Sequence, residues 1–157
     1  MSDQQKIFSL SVGSRIALMV AAFFVLLSIF LFQQFNFLKF ILSGISIDTQ
    51  FHPYIYFIFN KTLRMVANDL ACMILIVVFF REKKYLTAAW YLFVVELVVI
   101  LPVYFLVKLS LEGASELSSP LLSQFHRIIV NPILMILLMA GFLYQKLKIT
   151  TTFIKKQ

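Results

Sequence analysis

Nine residues in this chain combine a reactive or ionisable side chain with an apolar setting: Asn60, Arg64, Asn68, Asp69, Cys72, Glu96, His126, Arg127 and Asn131. Three chemistries are open to them. A cysteine beside a cation or base, with access to water, is a thiolate nucleophile. Cys72 is the candidate for that chemistry. Carboxyls and an arginine inside hydrocarbon can instead line an ion path, with Arg64, Asp69 and Glu96 as its members. The third possibility is structural: polar side chains on facing helices hydrogen-bond to one another and hold the register of a bundle.

Spacing narrows the choice. At 100° per residue, Asn60, Arg64, Asn68 and Cys72 form one slowly drifting stripe, with Asp69 at its edge. Arg64 can snorkel toward water. Asp69 is too short to do so, and a central Asp costs about 2.5–3.5 kcal/mol on insertion. Glu96, ten residues into an apolar run, meets the same difficulty, so both acids need a donor or a proton. The available donors are Asn60, Lys61, Arg64, Asn68, His126 and Arg127; the expectation is one network of Arg64, Asn68 and Asp69 joined by His126 or Arg127, which precede or enter the last apolar run. Cys72 is followed by Met73, Ile74 and Leu75, surroundings in which a cysteine packs as a small apolar residue. No second His or Cys stands at metal-ligand spacing, so neither a metal nor any other cofactor is expected.

The elements that must carry these residues are membrane spans. The chain is 61% hydrophobic and only 13% charged, against roughly 25% charge in a soluble domain. A run of about 20 apolar residues is enough to cross a bilayer. Four spans are expected in a single all-α domain covering 1–157, at about 16–35, 63–80, 86–107 and 128–146. Ser14, Ala17, Ala21 and Ser28 give the first span a small-residue face that lets another helix approach closely. Residues 36–62 are aromatic and mixed, broken by Gly44 and Pro53, and are expected to lie as an interfacial loop with short helices. Pro102 predicts a kink in the third span. The fourth starts near Asn131, or starts near Pro120 and kinks at Pro132.

Basic residues set the orientation. Lys6, Arg15, Arg81, Lys83, Lys84, Lys146, Lys148, Lys155 and Lys156 fall on one side; Lys39, Lys61, Arg64, Lys108 and Arg127 fall on the other. By the positive-inside rule both termini are cytoplasmic. The net charge of +7 is therefore a topology signal in contact with lipid. It is not a nucleic-acid footprint, since no soluble module is left to present a basic face.

Around "RMVANDL" (64–70) and "NPILMILLMAGFLYQK" (131–146) the chain resembles the exosortase F system-associated proteins. The similarity covers Phe35 to Lys146. It implies a small accessory protein of the bacterial inner membrane, working beside an exosortase-type sorting transpeptidase, and it implies no established activity for the protein itself. Exosortases use a membrane Cys with Arg and His partners, but this chain lacks their number of spans and their surrounding motifs. No catalytic residue carries over. The expectation is a non-catalytic partner of another membrane protein. The alternatives are a thiol enzyme using Cys72 and a small transporter or channel subunit using Arg64, Asp69 and Glu96.

Overall fold

The structure, a computed structural model, describes residues 11–32, 35–44, 52–113 and 119–154. Lys6, Lys155 and Lys156 lie outside the described residues. The elements are α1 (Val12–Leu31), α2 (Phe37–Gly44), α3 (Pro53–Phe80), α4 (Lys83–Val95), a π-helical turn (Glu96–Ile100), α5 (Leu101–Glu112), α6 (Pro120–Val130) and α7 (Ile133–Ile154). There is no β-strand among the described residues. By length and composition, Val12–Leu31, Pro53–Phe80 and Lys83–Glu112 could each cross a membrane. α6 and α7, bent by 60° at the break between them, make a fourth if the pair is one span.

α3 is the hub, packing on α1, α2, α4, α5, α6 and α7. It starts ten residues before the apolar run expected at Leu63. Pro53 is the reason: at the first helical position its missing N–H removes no bond, so the residue that reads as a breaker is a starter. His52 Nδ1 accepts from the Tyr54 N–H at 3.4 Å in front of it. At 28 residues α3 is about 42 Å long, more than a ~30 Å hydrocarbon core requires. It stops where Arg81 turns left-handed, at φ 58°.

Pro102 acts one turn before itself. It has no N–H to give the preceding turn, and the helix widens there: the Leu101 N–H bonds the Glu96 carbonyl, five residues back. The expected kink is thus a π-helical turn that opens on Glu96. At Asn131–Pro132 the break is complete: one helix starts at Pro120 and another at Ile133, so both signals open a helix, and the last span starts at Pro120 only if the bent pair is one span. Two apolar clusters fill the bundle. One gathers Cys72, Ile76, Phe80, Tyr85, Phe93 and Met135, and the other Met65, Leu101, Tyr104 and Phe105.

Arg15, Met19, Ala22, Leu26, Ser28 and Ile29 are the least exposed positions of α1, which packs on α3. Ser14, Ala17 and Ala21 are exposed, about a third of a turn away from Ala22. The small-residue face is therefore split: Ser14, Ala17 and Ala21 are open, and Ser28 is partly buried.

Candidate functional site

The polar stripe of α3 meets the ends of other helices. Asn60 Nδ2 donates to Asn36 Oδ1, and Asn60 Oδ1 accepts from the Leu38 N–H at 3.3 Å. Leu38 is in the first turn of α2, where backbone N–H groups have no partner within the helix, so Asn60 serves as a cap from outside. Arg64 Nη2 donates to the carbonyls of Phe32 and Phe35, each at 3.4 Å. Phe32 is the C-cap of α1, and a cation there also faces the negative end of that helix. Asn68 Nδ2 donates to the Val130 carbonyl at 2.9 Å. In an unbroken helix that carbonyl would accept from Leu134; the Asn131–Pro132 break frees it and Asn68 takes it.

Asp69 and Glu96 cap nothing. Their carboxyls meet side chain to side chain across α3 and the π-helical turn. Asp69 is 1% exposed and Glu96 5%. Asp69 Oδ2 and Glu96 Oε1 have no hydrogen-bond partner among the described residues. Each acid was expected to find a donor or to carry a proton, and each faces the other acid.

Cys72 lies one turn deeper, 3% exposed and packed in the cluster that includes Met135, itself fully buried. Asp69 and Glu96 are the titratable neighbours of Cys72. Its surroundings are those of a packed apolar side chain.

Of the nine residues singled out from sequence, Asn60, Arg64, Asn68, Asp69, Cys72 and Glu96 are buried together in the bundle. Arg127 and Asn131 are exposed. α6 was expected to supply side-chain partners through His126 or Arg127; its contribution to Asn68 is the Val130 carbonyl. His126 is in α6, and its side chain lies outside the described residues.

Two polar links escaped the sequence reading. Arg15 Nη2 donates to the Val78 carbonyl at 3.0 Å, in the last turn of α3. Lys108, only 2% exposed, pairs with Glu112, and Glu112 also accepts from the Ser119 N–H at 2.7 Å. That pair ties the end of α5 to the start of α6. Its signal was an i, i+4 basic–acidic spacing, but the two residues fell where the span was taken to give way to a loop.

No group of three or more His, Cys, Asp or Glu side chains that could hold a metal ion occurs among the described residues. No family model, no curated protein and no solved structure matches the chain.

Proposed function

We propose that the chain is a four-span, non-catalytic subunit of the bacterial inner (cytoplasmic) membrane, with both termini in the cytoplasm, and that it binds a second membrane protein, an exosortase-type sorting enzyme. The observation that carries this reading is where the α3 stripe goes. Asn60, Arg64 and Asn68 bond to ends of the chain's own helices, which takes up the side chains that an active centre would turn toward a substrate. Burial of Cys72 in an apolar cluster points the same way.

The outward face of α1 supports a helix-binding role. Ala17 and Ala21 are exposed and four apart, a spacing that lets a neighbouring transmembrane backbone come close. In lipid, association depends on such close packing and on interhelical hydrogen bonds, because there is no hydrophobic drive between helices.

The test is co-purification from native membranes in mild detergent, read by mass spectrometry. The expected result is enrichment of the exosortase-type transpeptidase with the wild-type chain. It should fall at least tenfold with Ala17→Leu/Ala21→Leu at an unchanged level of bait. Recovery of no sorting transpeptidase above a control membrane protein would overturn the reading.

A further inference from the structure

We propose that Asp69 and Glu96 form a proton-binding site within the membrane, in which the two carboxyls share a hydrogen between α3 and the π-helical turn. The inference goes beyond the partner-binding role and does not depend on it. The geometry carries it. Two ionised carboxylates offer each other only acceptors, so a direct side-chain hydrogen bond between them requires a hydrogen on one. Both residues are more than nine-tenths buried, and Asp69 Oδ2 and Glu96 Oε1 have no donor among the described residues. Two adjacent negative charges in so dry a place repel strongly; one shared proton removes that repulsion and supplies the missing donor.

Charged groups on the packed helices are engaged elsewhere or exposed. Arg64 bonds the end of α1, Arg15 the end of α3, Lys108 pairs with Glu112, and Arg127 is exposed. Cys72 is the titratable neighbour that interacts with both acids. The π-helical turn gives the site a mechanical outlet. It opens on Glu96 and is wider by one residue than an α turn, so it is the compliant point at which the helices can part if the hydrogen leaves. Ionisable groups placed this way inside membrane bundles serve as proton carriers.

Infrared spectroscopy of the protein reconstituted in phosphatidylcholine vesicles at neutral pH tests this. The wild type should show the carbonyl stretch of a protonated carboxylic acid. The band should disappear in Asp69→Asn and in Glu96→Gln, where an amide N–H replaces the shared hydrogen and the contact survives, so that both variants melt close to wild type. Absence of the band from the wild type overturns the proposal, whether or not either variant folds. So does a band that persists in both variants, or a melting temperature raised by sodium or potassium ions with no band, which would assign the pair to a metal cation. None of these outcomes bears on transpeptidase capture, so the two readings fail separately.

Discussion

Arg15 and Arg64 do the same thing at opposite ends of one helix pair. Arg15, in the first turn of α1, donates to the Val78 carbonyl near the end of α3. Arg64, in the first half of α3, donates to the Phe32 and Phe35 carbonyls at the end of α1. The two helices are antiparallel, and each puts a guanidinium on carbonyls at the other's C-terminal, negative dipole end. Met19, Ala22, Leu26 and Ile29 pack along α3 between these two links, which pin the pair at both ends.

Arg15→Ala and Arg64→Ala should each destabilise the α1–α3 pair by about 1–2 kcal/mol, the range for a cation on a helix C-terminus. The sites are far apart, so the double variant should lose the sum. Thermal melts in detergent read the totals, and limited proteolysis should show α1 detaching first. A double variant no less stable than Arg64→Ala alone would mean that Arg15 acts only as a flanking charge.

Asn68 and Pro132 are coupled through one atom, the Val130 carbonyl oxygen. Asn68→Ala leaves that carbonyl without a partner, at a cost of about 1–3 kcal/mol. Pro132→Ala restores the backbone N–H and lets α6 run into α7, so that Leu134 can bond Val130. Pro132→Ala should therefore suppress most of the loss caused by Asn68→Ala. Simple additivity of the two in a thermal double-mutant cycle would show that Asn68 does not serve the break.

How far these relationships were legible depends on what kind of partner each residue has. The apolar runs announced the long helices, because a bilayer demands length and composition and little else. The stripe of Asn60, Arg64 and Asn68 was visible from its spacing. Its partners were not, since they are backbone groups freed where other helices stop, and no residue type marks them. Pro53 was ambiguous, because proline both ends helices and begins them. Asp69 and Glu96 each pointed to a donor or a proton. The pairing of acid with acid could not be read, because a search for opposite charge never tests two carboxyls against each other.

Both termini should prove cytoplasmic. In a Cys72→Ser background, Ser119→Cys at the start of α6 should react from outside with a membrane-impermeant maleimide. Lys84→Cys, in the first turn of α4, should react only after permeabilisation. The opposite pattern would invert the orientation read from the arginines and lysines.

Cys72 should behave as a packing residue. It is 3% exposed and lies against Met135 and Ile76, so a membrane-permeant maleimide has no path to its Sγ in the folded bundle. Labelling should require denaturation and should rise at least tenfold with it. Cys72→Ala removes only the sulfur from a tight site, and the expected loss is about 1 kcal/mol, the scale for a cavity of one small group. Capture of the membrane partner should be retained, because nothing in the proposed association uses the thiol. A thiol that reacts at the same rate in the folded and the denatured protein, together with loss of function in Cys72→Ala at a normal protein level, would reverse the assignment. Cys72 would then be a nucleophile reached from the bilayer interior, with Asp69 and Glu96 as its nearest proton acceptors.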